Sequence, residues 1–146
     1  KALTTNNLLK LGGNKMTNKV AIIASNGGLF DAYKVFNIAT AAAATDKEVA
    51  IFFTFEGLNL IHNEAYQQLP IPAGKEYFVE GFAKENVPAI PELVAMAQDL
   101  GVKFIGCQMT MDVMGLDKEA FVDGIDVGGA VTFLEFAKDA DVTLTF

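Results

Sequence analysis

Three runs of mainly apolar residues stand out along the chain. They cover residues 19–25, 48–55 and 102–107, and each is followed by a polar residue. Continuous apolar runs of this length are typical of strands buried on both faces of a parallel sheet. A short apolar stretch at 125–127 and an alternating one at 142–146 predict two further strands.

Between these runs the apolar residues follow a helical period. In residues 29–44 a polar side chain returns at every third position, which predicts a long helix with little polar surface. Pro91 in a first turn and Gly101 as a left-handed stop bound a second helix at 91–100. Shorter helices are predicted at 110–114, after Asp117 as an N-cap, and at 129–140.

Strands therefore alternate with helices. This alternation builds βαβ units with right-handed crossovers and places helices on both faces of a mostly parallel sheet. We expect an α/β fold of the doubly wound type, formed as a single domain by residues 19–146. Residues 1–18 are expected to be a leader or otherwise appended segment with little order, because Met16 almost directly precedes the first strand.

The stretch from residue 57 to residue 90 has no regular period, because Pro70, Pro72, Gly74, Gly81 and Pro88 interrupt it. We expect a long excursion with short helices. Excursions of this length usually serve a function, so this one is expected to cover the site or to pair subunits. The helices at 29–44 and 129–140 carry more apolar surface than one small sheet covers, which predicts a homo-oligomer.

Composition and charge exclude several classes of function. The 146 residues carry a formal net charge of −7 without a lysine cluster, so nucleic acid is not an expected partner. No apolar run approaches the roughly 20 residues that a membrane span requires. A single cysteine and an amino end without a signal-peptide pattern predict a cytoplasmic protein.

The only cysteine, Cys107, is predicted at the carboxyl end of the third strand, where parallel sheets gather reactive groups. A helical turn at 110–114 would direct its free N–H groups toward the sulfur and favour the thiolate. One thiolate can accept and pass on a sulfur atom as a persulfide. Dithiol exchange needs a second cysteine and is excluded. An inert, buried cysteine is the structural alternative.

The run GCQMTMDVMG at residues 106–115 closely resembles the cysteine motif, CQMxMDVMG, of a subgroup of the DsrE/DsrF-like sulfur-relay family within the DsrEFH-like superfamily. The turn at 25–28 and the FFTF segment before Gly57 also resemble that family, so that the resemblance spans residues 19–146. It implies a flavodoxin-like sheet of about five strands, oligomeric assembly, and a cysteine that exchanges sulfur with donor and acceptor thiols of partner relay proteins.

We therefore predict a sulfur carrier or sulfurtransferase that holds sulfane sulfur as a persulfide on Cys107 and passes it to a partner thiol. The sequence favours a sulfurtransferase without deciding between enzyme and carrier. One alternative is a flavodoxin-like module that binds a nucleotide or another anion. The other alternative is a non-catalytic interaction module in which Cys107 only packs.

Further candidate residues surround the predicted site. Candidates for binding an anion or substrate are Ser25, Asn26, Gly27, Gly28, Gln108, Met109 and Thr110. Candidates for an accessory role are Glu56, Asn59 and the only histidine, His62. Thr110 stands where the family motif has serine, and Glu56 where the family has a bulky aromatic residue. One cysteine and one histidine predict no zinc site, and we expect no cofactor.

Overall fold

The computed structural model describes residues 18–146, and the predicted leader, apart from Asn18, lies outside these described residues. The strands are β1 Lys19–Ala24, β2 Glu48–Phe53, β3 Lys103–Cys107, β4 Asp126–Gly128 and β5 Val142–Thr145. The α-helices are α1 Leu29–Ala44, α2 Tyr77–Lys84, α3 Ile90–Asp99, α4 Gln108–Met114 and α5 Ala130–Ala137. Short 3-10 helices cover Phe55–Ile61, Ala65–Gln67 and Lys118–Ala120.

The five strands form one sheet in the order β4-β3-β2-β1-β5, and every neighbouring pair is parallel. The chain adds β2, β3 and β4 on one side of β1 and then returns to add β5 on the other side. This confirms the α/β class and the parallel five-stranded sheet. Because the strands are parallel, Ser25, Thr54, Cys107 and Phe146 all lie at one edge of the sheet.

Helices cover both faces of the sheet, as predicted. On one face α1 and α3 bury a large cluster in which the rings of Phe36, Phe53 and Phe104 lie with centroids 5.3–6.2 Å apart. On the other face α5 packs Phe133 onto Phe52, with ring centroids 5.4 Å apart. Cys107 belongs to this second, smaller cluster.

Several predicted boundaries differ from the structure by one to three residues, and the helix predicted at 110–114 begins at Gln108. The second strand ends at Phe53 rather than residue 55, because Phe55 adopts a left-handed φ of 49° and starts a 3-10 helix. The last helix ends at Ala137 rather than residue 140, because the chain turns there toward β5. The Asp141 N–H, just before β5, donates to the carbonyl of Lys19 in β1.

The excursion at 57–90 divides into two parts. Its first 3-10 helix buries Leu58, Leu60 and Ile61 in the core. Farther along, α2 has no buried residue and packs on α1 through aromatic pairs, Phe78 with Phe30 and Phe82 with Tyr33, each 4.7 Å between centroids. Within residues 18–146, no helix is both long and apolar enough to cross a membrane.

Candidate functional site

Cys107 is the last residue of β3 and directly precedes α4, as the sequence predicts for a strand-end cysteine. Its side chain is only 5% exposed. The helix that follows is seven residues long and ends at Gly115, whose φ of 67° makes it a left-handed stop. The sulfur therefore sits just below the surface at the carboxyl edge of the sheet.

Hydrogen-bond donors surround the Cys107 sulfur. Burial raises the pKa of the Cys107 thiol, whereas hydrogen bonds from Thr110, through its hydroxyl and its backbone N–H, lower it. The Thr54 hydroxyl and the Met109 N–H add hydrogen bonds that also lower the pKa. The pKa of the thiol lies below its ordinary value as a result, so the thiolate is favoured relative to a free cysteine.

The Thr110 hydroxyl is held in place by the chain after β2. Phe55 donates its N–H to Thr110 Oγ1 over 3.2 Å, and the hydroxyl oxygens of Thr54 and Thr110 lie 3.4 Å apart. Because Thr110 Oγ1 already accepts from the Phe55 N–H, its own proton can be donated to the thiolate. Thr110 is buried, so water competes little for this hydroxyl.

Backbone geometry explains how Phe55 reaches Thr110. Thr54 donates its N–H to the carbonyl of Ala24 at 3.0 Å, and Gly57 donates to the carbonyl of Thr54 at 2.9 Å. A Cβ on Gly57 would lie 1.8 Å from the Ala24 carbonyl oxygen, so only glycine fits there. The resulting tight turn after β2, packed against the end of β1, aims the Phe55 N–H at the hydroxyl.

A cleft of about 230 Å³ opens beside these threonines. It is lined by Phe55, Glu56, Asn59, Thr110, Val113 and Met114. The structure thus brings Glu56 and Asn59, both candidates from the sequence, to the same cleft as Thr110. Glu56 is exposed and carries the only charged side chain in this lining.

The residues that follow Cys107 face different directions. Gln108 is exposed and donates from Nε2 to Asp112 Oδ1 over 2.7 Å, one turn along α4. Met109 contributes its N–H to the sulfur environment, while its side chain is 55% exposed. The Asp112 carboxylate is held on the exposed side of α4.

The turn at 25–28 is tied to its own surroundings. Ser25 donates its hydroxyl to the carbonyl of Phe146 over 2.9 Å. The Gly28 N–H donates to Asp31 Oδ2 over 3.2 Å, and the Leu29 N–H to the carbonyl of Pro70 over 2.9 Å. Asn26 and Gly27 line a neighbouring cleft of about 300 Å³, which also includes Asp31. The Asp31 carboxylate already lies at the amino end of α1 and would repel an external anion there.

His62 acts as a local cap. Its Nδ1 accepts the N–H groups of Glu64 and Ala65 over 3.2 and 3.1 Å, and its ring meets Phe121 edge-on with centroids 5.7 Å apart. These contacts fix the turn after the first 3-10 helix. No group of three or more His, Cys, Asp or Glu side chains suited to a metal ion occurs within residues 18–146.

Sequence reasoning missed Thr54 and Phe55 as parts of the site. Both lay inside a predicted buried strand, where only their burial was informative. The signal that could have singled out Thr54 is its position: a hydroxyl at the end of a parallel strand lies at the edge where the sites of such sheets form.

Comparisons with known proteins identify the family of this chain. A model of the DsrE/DsrF/DrsH-like family matches residues 16–80 and 72–145. The sulfur carrier protein DsrE2 of Allochromatium vinosum is 36% identical, and the match covers 86% of this chain and 96% of that protein. The uncharacterised protein YrkE of Bacillus subtilis is 31% identical over 89% of this chain and 98% of its own length.

Two solved structures share the fold at low sequence identity. The ychN protein of E. coli gives a TM-score of 0.60 at 18% identity, and the match covers 89% of this chain and 100% of that chain. The protein BT1422 of Bacteroides thetaiotaomicron gives a TM-score of 0.60 at 14% identity, and the match covers 91% of this chain and 100% of that chain. The family model, together with the two sequence relatives, shows that the chain belongs to the DsrE/DsrF/DrsH-like family.

Proposed function

We propose that this protein is a sulfur carrier that holds sulfane sulfur as a persulfide on Cys107 and passes it to a thiol of a partner protein. The observation that carries the proposal is the Cys107 thiol itself, whose pKa, raised by burial, is brought below its ordinary value by hydrogen bonds from Thr110, Thr54 and Met109. A relative that is 36% identical bears the name sulfur carrier protein DsrE2.

The proposed loading step is an exchange of sulfur between two thiols. The Cys107 thiolate attacks the outer sulfur of a donor persulfide, and a new S–S bond forms on Cys107. The S–S bond of the donor breaks, and its electron pair leaves with the donor cysteine as a thiolate. The outer sulfur keeps its charge or proton, so no external oxidant or reductant is needed. Unloading is the same step in reverse, with an acceptor thiolate as the attacking group.

The buried position of Cys107 suits a persulfide better than a thiol alone. A persulfide places its reactive sulfur about 2 Å beyond the cysteine sulfur, the length of an S–S bond. Thr110 contacts the inner sulfur and also lines the cleft. The outer sulfur can then be offered to a partner at the cleft, while the inner sulfur stays shielded from water.

We place this carrier in the reducing cytoplasm and expect it to act as a homo-oligomer. An unpaired cysteine that must stay available for exchange is suited to a reducing compartment. The helix α5 leaves Val131 and Leu134 74% and 60% exposed, an apolar surface that a second copy would cover. Sedimentation velocity of the wild type and of a Val131→Gln, Leu134→Gln variant tests the oligomer.

Intact-protein mass spectrometry tests the carrier function. The protein is incubated with polysulfide, thiosulfate or a persulfidated rhodanese, with Cys107→Ser as the matched control. We expect the wild type to gain a sulfur mass that dithiothreitol removes and the Ser variant to gain none. Equal gain in both proteins, or no gain from any donor, would reject the proposal. The second result would favour a module that binds or interacts without sulfur chemistry.

A further inference from the structure

Four large apolar side chains are exposed on the elements that flank Cys107 in the chain and in the site. Phe55 is 61% exposed, Val113 80%, and Met109 and Met114 are exposed as well. These four side chains, here named the apolar rim, are Phe55, Met109, Val113 and Met114. Met109, Val113 and Met114 lie on α4, the helix that directly follows Cys107, and Phe55 lies on the turn that holds Thr110. Exposed apolar groups that cluster around a reactive atom mark an interaction surface.

The charged side chains in the two chain segments that carry the apolar rim are all carboxylates. All eleven cationic side chains of the chain are lysines, and none falls within residues 48–74 or 104–117, the two segments that build the cleft. Glu56 lines the cleft, and Asp112 lies on α4 beside Val113. Lys19 and Lys103 are the first residues of β1 and β3 and therefore lie at the opposite edge of the sheet.

From this arrangement we infer that the apolar rim docks a basic segment of a partner protein, with apolar residues flanking the partner's cysteine and lysine or arginine residues beyond them. Apolar flanks would cover Phe55 and Val113, and the cationic residues would face Glu56. The inference rests on the proposed carrier function and adds the chemistry of the partner.

A partner of this kind fits the rim better than a second copy of the chain does. A two-fold contact between copies would place the same rim and the same acidic groups opposite each other, and like charges oppose such a contact. Four side chains form a small contact, in the size range of transient encounters rather than of permanent complexes. A relay needs a partner that leaves after each transfer.

Three persulfidated peptides test the inference on the full chain. They are the basic apolar peptide Lys-Leu-Cys-Leu-Lys, its acidic counterpart Glu-Leu-Cys-Leu-Glu, and the basic polar peptide Lys-Ser-Cys-Ser-Lys. The rate of sulfur gain on Cys107 is followed by mass spectrometry. We expect the basic apolar peptide to react about tenfold faster than either of the others at low salt, and the charge preference to shrink as salt is added.

Substitutions in the rim locate the contact. Val113→Gln removes an exposed apolar group and should slow transfer from the basic apolar peptide about fivefold. Glu56→Gln should reduce the preference for basic over acidic peptides. Val79 is the matched control, since it is a half-exposed valine on α2, outside the cleft. Val79→Gln should leave the rates of all three peptides as in the wild type.

Specific results would overturn the inference. Equal rates for the three peptides, with uptake from polysulfide intact, would reject the docking surface and leave the carrier function standing. Failure of the wild type to take sulfur from any peptide and from polysulfide would reject the carrier function itself. If Val113→Gln alone converted an assembled wild type into monomers in sedimentation velocity, the rim would be a contact between copies instead.

Discussion

The pKa of the Cys107 thiol depends in part on two hydroxyl groups that reach it from different parts of the chain. Thr110 is three residues away in sequence, whereas Thr54 comes from the end of β2 and lies 56 positions from Thr110. Both donate to the sulfur and favour its ionised form over the thiol. The Phe55 N–H fixes the direction of the Thr110 hydroxyl.

Removing the Thr110 hydroxyl should therefore make Cys107 less acidic. Hydrogen bonds to the ionised sulfur lower its pKa, so in Thr110→Val the alkylation rate with iodoacetamide should rise to its plateau at higher pH than in the wild type. Thr110→Ser keeps the hydroxyl and should retain a profile close to that of the wild type. An unchanged profile in Thr110→Val would show that the hydroxyl does not act on the sulfur.

His62 should matter for stability and not for sulfur chemistry. His62→Ala leaves the N–H groups of Glu64 and Ala65 without their side-chain acceptor, which should cost about 1 kcal/mol of unfolding free energy. Urea unfolding measures this, with His62→Asn as the variant whose side-chain oxygen can still accept. If His62→Ala were fully folded and still failed to take up sulfur, the imidazole would have a part in the transfer instead.

The sequence predicts the site residues that are neighbours in the chain, but not those that tertiary structure brings to the site. Cys107 and Thr110 belong to one local motif, so spacing and resemblance are enough to find them. Thr54 and Phe55 act through the tertiary pairing of β2 with its neighbours, and hydrophobic patterning reports only that their segment is buried. Glu56 and Asn59 were found by resemblance and by proximity in sequence, and the cleft they line was not foreseen.

Among the elements, the turn from Thr54 to Gly57 connects the core to the site. It follows β2, is hydrogen-bonded to the end of β1, and presents the Phe55 N–H to α4. The strands and the long helices were predictable because their apolar runs and periods are unambiguous. Short helices were expected in the excursion, but the position of α2 was not predictable, since Gly81 lies within it and its apolar side chains face α1 or solvent rather than a core.

Gly57 provides the test of this turn. Gly57→Ala places a methyl group against the Ala24 carbonyl, so it should lower the unfolding free energy by more than about 2 kcal/mol and slow alkylation of Cys107. Gly81→Ala is the matched control: nothing lies within 4 Å of its added methyl, and alanine in a helix should stabilise slightly. Thermal unfolding and alkylation rates of both variants check this expectation. Wild-type stability in Gly57→Ala would contradict the described turn.

At the scale of the whole fold, the lysines that begin strands lie at the edge of the sheet opposite to Cys107. Lysines begin β1 and β3, where Lys19 pairs with Asp139 at 2.9 Å and Lys103 with Asp126 at 3.8 Å. The cysteine lies at the opposite edge, in a chain of net charge −7. The strand order could not be predicted, because alternation of strands and helices makes a sheet parallel without deciding which side of β1 receives β5.

This separation should make Cys107 selective among small reagents. The dianionic disulfide dithiobis(nitrobenzoate) should react more slowly with Cys107 than the neutral 4,4′-dithiodipyridine does, because net negative charge and Glu56 repel it. Added salt should speed the dianion's reaction and leave the neutral reagent's rate unchanged. Stopped-flow absorbance measures both rates, and identical salt responses of the two reagents would contradict the electrostatic account.

The most direct test of the proposed carrier function follows labelled sulfur through a complete transfer. The protein is loaded with ³⁴S-labelled polysulfide, freed of donor, and mixed with the peptide Lys-Leu-Cys-Leu-Lys in its thiol form, while mass spectrometry follows both molecules. We expect the label on Cys107 to decrease as the same label appears on the peptide, and Cys107→Ser to carry no label. Release of the label as free sulfide, or its retention on the protein, would contradict a carrier that hands sulfur to a thiol.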